Sequence, residues 1–132
     1  MSSDTFIEVA EDCPAVQAEV PPARGHRPTK AAIEYELIAG EPYALTEEDV
    51  AFRTRMLMGD IPEADWPAER ERFLSQEKPR LRVSALAKRY GWGIHVDSHG
   101  RVALVAVESA EYQRLSADPA LRHVRAFRSK RA

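Results

Sequence analysis

The spacing of hydrophobic residues predicts a strand and then an irregular connection at the start of the chain. In "TFIEVAEDC" apolar and polar residues alternate, and strand-favouring types are frequent until Pro14. We predict a first strand near residues 6–12. Four prolines and Gly25 follow within the stretch that ends at Pro28, which excludes both a helix interior and a central strand. Residues 13–28 are therefore expected to form an extended, proline-rich surface connection.

Helical spacing and capping residues predict four helical segments in the middle of the chain. A Ser or Thr that precedes an apolar-periodic segment marks a helix start, and Gly or Pro marks its end. The predicted segments and their caps are a helix over 30–39 after Thr29 with Gly40 past its end, a helix over 47–58 after the near capping box of Thr46 and Asp49, a third helix within "PEADWPAERERFLSQEK", and the short turn "ALAKRY" between Ser84 and Gly91.

The late part of the chain predicts a β-hairpin. Residues 92–97 and 101–107 are strand-like and are joined by "DSHG", where Asp97 opens the turn and Gly100 supplies a positive φ. Because the second strand is apolar at successive positions, both of its faces should be covered, and we expect it in the middle of a sheet. A helix that begins at Ser109, an edge strand near 123–128 and a basic tail over 128–132 complete the prediction.

Together these elements predict an α+β fold. We expect a mostly antiparallel sheet with a late β-hairpin, packed against helices from the middle of the chain. A length of 132 residues suits one domain spanning 1–132.

Composition indicates a globular protein that works in the cytoplasm. Of the residues, 44% are hydrophobic and 30% are charged, which is ordinary for a globular domain. Apolar runs are far shorter than the roughly 20 residues that cross a bilayer, and no basic-then-apolar leader is visible, so we expect no membrane partner. The single cysteine, Cys13, cannot form an internal disulfide.

The charge is divided unequally along the chain. Residues 31–77 contain twelve acidic and four basic residues, whereas residues 78–132 contain four acidic and twelve basic residues. This division favours an anion-binding or nucleic-acid-binding surface on the later half, or two halves that face each other within the fold or across a dimer.

The alternating residues His95, Asp97 and His99 resemble a series of metal ligands. His99 lies inside the predicted turn, however, so the two-residue alternation of a strand does not continue to it, and we expect no metal site. Asp97 suits a turn former whose carboxylate accepts backbone hydrogen bonds. His95 has two interpretations, a contact to an anionic ligand or a hydrogen-bonded histidine of the sheet.

The segment "KRYGWG" combines cations, flat rings and glycines. Tyr90 and Trp92 lie beside Lys88 and Arg89, which would suit a small anionic or aromatic ligand. The alternative is that Trp92 anchors the core where the helix meets the strand. The pattern lacks the third glycine of a dinucleotide site and the chain contains no P-loop, so we expect no cofactor.

Two other functions stay open at this point. Helices followed by a hairpin have the order of a winged-helix DNA-binding protein, and "RHVRAFRSKRA" could contact phosphates. An enzyme would need a site assembled from distant residues, because Cys13 has no evident base and Ser84 and Ser109 serve as helix caps. We therefore predict no catalytic residue.

The strings "TFIEVAEDCP", "KRYGWGIH", "VESAEY" and "RSKR" resemble, as a set, a family of small bacterial proteins grouped as a domain of unknown function. The similarity covers nearly the whole chain. It implies a single bacterial cytoplasmic domain and brings no activity or cofactor. Members of the family often have proline where this chain has Ala85, which supports Ser84 as a cap, and cysteine where it has Arg80.

The leading hypothesis is a non-enzymatic binding module for an anionic small molecule or an acidic protein partner. Nucleic acid is the less favoured partner, and the pattern indicates no oligomeric state. The residues expected to line the ligand-binding surface are Arg82, Lys88, Arg89, Tyr90, Trp92, His95, Arg128, Lys130 and Arg131.

Overall fold

Most helices begin at the capping residues that the sequence indicates. A computed structural model describes residues 4–22, 29–76, 81 and 84–127. The helices are α1 (Lys30–Gly40), α2 (Glu47–Met58), α3 (Trp66–Gln76), α4 (Ala85–Lys88) and α5 (Ala110–Ser116). The hydroxyl groups of Thr29, Thr46, Ser84 and Ser109 each accept a hydrogen bond from a backbone N–H in the first turn of the following helix. A cap of this kind typically stabilises a helix by about 1 kcal/mol.

A four-stranded sheet joins the beginning of the chain to its later part. Its strands are β1 (Thr5–Glu8), β2 (Trp92–Val96), β3 (Val102–Ala106) and β4 (Arg122–Arg125). The spatial order is β3-β2-β1-β4, with β1 antiparallel to β2 and parallel to β4. The prediction of an α+β fold with a mostly antiparallel sheet and a late hairpin is confirmed.

The hairpin turn forms as its residues predict. One carboxylate oxygen of Asp97 accepts hydrogen bonds from the N–H groups of His99 and Arg101, both at 2.9 Å. Gly100 has a φ of 81°, a conformation that glycine adopts at little cost.

The prediction that β3 lies in the middle of the sheet is wrong, because β3 forms one edge. A non-strand segment occupies the start of that edge, at Val102. The N–H of Val102 donates to Leu45 O at 2.9 Å, and the N–H of Tyr43 donates to Val102 O at 2.9 Å. Both faces of β3 are nevertheless covered, so its apolar pattern reflects burial by helices and not a central position.

Three predicted boundaries need correction. Gly40 is the last residue of α1, and the left-handed conformation expected there occurs at Tyr43, whose φ is 61°. β1 ends at Glu8 and not near residue 12, because the N–H of Ala10 bonds to Ala87 O. β4 begins one residue earlier than expected and ends at Arg125. The basic tail, residues 128–132, and residues 23–28 of the proline-rich connection lie outside the described residues.

The two faces of the sheet are covered differently. Helices from the middle of the chain cover one face, as predicted, whereas α5 covers the other. The larger cluster consists of the buried side chains of Ile7, Ala10, Ile38, Leu45, Val50, Leu81, Leu86, Ala87, Ile94, Val96, Val102 and Ala126. The smaller cluster, under α5, consists of Phe6, Val105, Leu115 and Leu121. Helix α3 packs on α2 through a third cluster of Phe52, Met56 and Phe73.

Candidate functional site

The predicted ligand-binding residues fall into two groups on opposite faces of the sheet. Trp92 and His95 are three positions apart on β2, and side chains of a strand alternate between its faces. Trp92 packs against the larger cluster, whereas His95 pairs with Phe6, a residue of the smaller cluster. The structure therefore does not bring these two side chains together. Arg82, Arg128, Lys130 and Arg131 lie outside the described residues.

The first group, which we call the cationic corner, consists of Lys88, Arg89 and Tyr90 at the end of α4. The N–H groups of Arg89 and Tyr90 both bond to Ala85 O, at 2.8 and 3.2 Å, which closes the short helix. Lys88 is half-buried and Arg89 is exposed. Within the part of the chain that the structure describes, neither cation forms an ion pair.

A segment of the proline-rich connection, residues 15–20, is fixed against this corner, and we call it the strap. The N–H of Glu19 donates to Tyr90 O at 2.8 Å, and the indole N–H of Trp92 donates to Glu19 O at 2.8 Å. At Gly91, whose φ is 79°, an added Cβ would lie only 3.0 Å from Gln17 O. Glycine is thus required both for the turn and for the close approach of the strap.

A second contact holds the strap from the side of the sheet. The N–H of Ala18 donates to Glu108 Oε1 at 2.8 Å, and this hydrogen bond lowers the pKa of the Glu108 carboxyl group. Although the strap is held at several points, its apolar side chains face solvent. Val16 is 85% exposed and Val20 is 63% exposed, the highest values among the large hydrophobic residues described.

Trp92 itself is mostly occupied by internal contacts. Its indole N–H is bonded to the strap, and its ring lies 5.5 Å from the ring of Tyr35 at an angle of 50°. These contacts favour the interpretation that Trp92 anchors the junction of helix and strand over the interpretation that it contacts a ligand.

The second group surrounds His95, and we call Asp4, Tyr43, His95, Asp97 and Arg114 the His95 cluster. The His95 Nδ1 atom lies 2.8 Å from the Tyr43 hydroxyl, and the two rings meet edge to face at 5.5 Å. The His95 Nε2 atom lies 3.9 Å from Asp4 Oδ1, which is too far for a hydrogen bond. This nitrogen is buried and has no hydrogen-bond partner among the described residues.

Charges around the Tyr43 hydroxyl keep it protonated. Burial raises the pKa of Tyr43, the negative charges of Asp97 and Asp4 raise it further, and the positive charge of Arg114 opposes them. Burial alone would also raise the pKa of Asp97, but the backbone hydrogen bonds from Arg101 and His99 and the nearby histidines lower it overall. The cluster thus combines a neutral phenol with an ionised carboxylate.

Sequence reasoning named His95 as a ligand-binding residue and Asp97 only as a turn former, and it missed Asp4, Tyr43 and Arg114. Asp4 lies two residues before Phe6, so the alternation of a strand places both on the same face, and Phe6 pairs with His95 across the sheet. That signal becomes visible once the pairing of β1 with β2 is known. Tyr43 comes from an irregular segment, and no periodic pattern points to it.

Neither a metal-ligand cluster nor a membrane-spanning helix is found in the described residues. No group of three or more His, Cys, Asp or Glu side chains in these ranges could hold a metal ion. The carboxylate of Asp97 is bonded to the turn backbone, so it does not join His95 and His99 as a ligand set. No helix in the same ranges is long and apolar enough to cross a membrane.

A model of a family of unknown function, DUF6157, matches residues 2–132. The chain belongs to this family. A search of the curated proteins and a search of the solved structures each found no match. Because the DUF6157 description carries no activity, the function of this member has to be argued from its own residues.

An open cleft in this DUF6157 chain lies apart from both groups. It has a volume of about 570 Å³ and is lined by Leu37, Phe52, Leu57 and Trp66, with Arg53 among its charged residues. No residue of the cationic corner or of the His95 cluster lines it.

Proposed function

We propose that this chain is a non-enzymatic binding module whose cationic corner binds an acidic segment of a partner protein. The observation that carries the proposal is the pair Lys88 and Arg89, which lack ion pairs within the described residues and lie next to the fixed strap. The lone cysteine and the family resemblance suggest, as part of the same proposal, that the module works in the bacterial cytoplasm.

The exposed apolar side chains favour a protein partner over a small anion. A small anion needs cations and N–H donors, and gains nothing from Val16 and Val20. A protein segment that carries carboxylates and apolar side chains contacts both features at once, because interfaces combine an apolar centre with charge complementarity at the rim. The positive charge of the corner would also accelerate association with an acidic partner.

The winged-helix alternative has less support. A recognition helix presents an exposed face along the major groove, but α4 contains only four residues, and Leu86 and Ala87 in its middle are fully buried. Catalysis has no better support in the His95 cluster, since a phenol whose pKa is raised is a poor nucleophile.

A peptide-binding titration tests the proposal. We expect a synthetic peptide of alternating Glu and Leu residues to bind the full chain, and the double variant Lys88→Glu/Arg89→Glu to weaken binding at least about tenfold, because two attractive charge pairs become repulsive. Replacing Val16 and Val20 with Ser should weaken binding about threefold or more, through the lost apolar area. Isothermal titration calorimetry measures each dissociation constant.

The matched control is Arg101→Glu/Arg122→Glu, which makes the same change in net charge. Both arginines are exposed and form no ion pair within the described residues. Binding that weakens equally in both double variants would mean that only the net charge matters, and the proposal would be rejected. Failure of the unaltered chain to bind the peptide in dilute salt would also reject it.

A further inference from the structure

We propose that the His95 cluster binds a hydroxyl group of a neutral polyhydroxy ligand. This site is distinct from the cationic corner, because the side chain of His95 lies on the opposite face of the sheet from Trp92. Its central feature is the buried Nε2 atom of His95, which has no hydrogen-bond partner among the described residues. Buried polar atoms are almost always bonded, so an orphaned one in a partly open cluster marks a position where an external polar group is expected.

The surroundings of the imidazole determine what this nitrogen offers. The Tyr43 hydroxyl lies 2.8 Å from Nδ1, and the Asp4 carboxylate, which only accepts hydrogen bonds, lies on the side of Nε2. When the Tyr43 hydroxyl donates to Nδ1, the neutral ring carries its proton on Nε2. His95 therefore presents an N–H donor to the gap between itself and Asp4, while Tyr43 orients the ring from the other side.

The gap admits one polar atom when the Asp4 side chain, which is 41% exposed, turns outward, because Nε2 is buried in the arrangement shown. Nε2 and Asp4 Oδ1 are 3.9 Å apart, too far for direct bonding but close enough for one oxygen to contact both. A hydroxyl group accepts from the His95 N–H and donates to Asp4.

The charges select a neutral ligand. Asp4 and Asp97 both place negative charge near the Tyr43 hydroxyl, which disfavours an anion. The guanidinium group of Arg114 adds one positive charge near that hydroxyl but is itself paired with Glu111, so negative charges are in the majority.

The ring of Tyr43 adds an apolar surface at the same place. Tyr43 is 40% exposed, and a flat ring of this kind covers the C–H face of a sugar-like ring while nearby polar groups bind its hydroxyls. Tyr43 also holds a φ of 61°, which is strained for a non-glycine residue, and its N–H bond to Val102 O fixes it there. Strain of this type concentrates at binding sites.

Nuclear magnetic resonance of the His95 ring tests the inference on the full chain. The probes are a set of neutral polyols, namely glycerol, ribose, glucose and myo-inositol, with acetate as the anionic comparison. We expect at least one polyol to shift the His95 ring signals saturably, with a proton detected on Nε2. We expect Tyr43→Phe and Asp4→Ala each to raise the dissociation constant at least about fivefold, because each removes one hydrogen-bonding group from the cluster.

Two control variants show whether the polyol is bound at this site and nowhere else. Tyr35→Phe changes a tyrosine on the opposite face and should leave the dissociation constant within about twofold, the size of effect expected of a surface change that touches no ligand. Lys88→Glu/Arg89→Glu removes the cationic corner and should also leave it unchanged, so this inference and the proposed function fail independently. The inference is overturned if no polyol shifts the His95 signals, if acetate shifts them and the polyols do not, or if Tyr43→Phe and Asp4→Ala titrate like the unaltered chain.

Discussion

The two faces of the sheet are both buried, but the face under the middle helices has a much thicker cover than the face under α5. The first face is enclosed by a cluster of twelve buried residues. The second relies on a seven-residue helix and a cluster of four, at whose end the ring of His95 stays 14% exposed. The orphaned His95 nitrogen is found where the cover is thin, whereas the buried Glu34 carboxyl group on the thick side has a hydrogen-bond partner in Ser84.

The largest expected effect contrasts one leucine from each face. Leu86 is 0% exposed within the larger cluster, and Leu115 of α5 is 4% exposed. We expect Leu86→Ala to cost about 4 kcal/mol of unfolding free energy and Leu115→Ala about 2 kcal/mol, because α5 has room to settle into the space while α4 is held on several sides. Urea denaturation measures both. Equal losses would show that the thin face is as rigid as the thick one.

The next prediction concerns the close packing that lets α5 lie on the sheet. A Cβ at Gly93 would lie 2.7 Å from Tyr112 Cε2 and 2.9 Å from Phe6 Cζ. We expect Gly93→Ala to destabilise the fold by about 2 kcal/mol, because two packed rings would have to move. Tyr112 would also lose its position as acceptor for the N–H of Val9, now at 3.0 Å.

Gly40→Ala provides the matched control for Gly93→Ala. No atom lies within 4 Å of the added Cβ at Gly40, and alanine favours a helix by up to about 1 kcal/mol over glycine. In thermal unfolding, Gly93→Ala should therefore lower the melting temperature, and Gly40→Ala should not. A Gly93→Ala protein as stable as the unaltered chain would contradict the tight contact between α5 and β2.

The smallest prediction tests a carboxyl group on the thick side. Glu34 is 4% exposed and accepts a hydrogen bond from Ser84 Oγ at 2.8 Å. Burial raises the pKa of Glu34, and the Ser84 hydrogen bond and the charge of Lys30 only partly oppose it. The folded state therefore holds the Glu34 proton more tightly than the unfolded state does. The stability that this proton contributes is fully present below pH 4.5 and is lost as pH rises through the folded pKa.

Glu34→Gln keeps an acceptor for Ser84 and cannot ionise. We expect the variant to gain about 0.5 to 1 kcal/mol over the unaltered chain at pH 7, with the difference disappearing near pH 4. Urea titrations across this range give the two curves. A constant difference at every pH would show that Glu34 is not the group responsible.

Local features of the sequence predicted the parts of the fold that depend on neighbouring residues. Caps such as Ser84 and the turn at Asp97 and Gly100 act within four residues, so their patterns are sufficient. β3 lies at an edge because β1, from the start of the chain, takes the other side of β2, and an irregular segment with Leu45 and Tyr43 bonds to Val102 at that edge. Nothing in the pattern of β3 itself distinguishes cover by such a segment from cover by another strand.

Of the His95 cluster, the sequence pointed to His95 as a ligand-binding residue, and it did not indicate the assembly. The two-residue alternation of β2 implies that Trp92 and His95 face opposite sides of the sheet. The sequence itself therefore argued against the expected convergence of these two side chains. The meeting of Asp4, Tyr43 and His95 depends on pairing between segments that are far apart in the chain. Such contacts are fixed by tertiary packing and leave no local pattern.

The segment beside β3 also has a consequence for self-association. By bonding to Val102 through Leu45 and Tyr43, it occupies the outward backbone groups at the start of that edge and shortens the row with which another strand could pair. On the opposite edge of the sheet, Arg122, His123 and Arg125 are exposed along β4. Like charges would meet if two molecules aligned along β4, so fibril growth by strand stacking is discouraged at that edge.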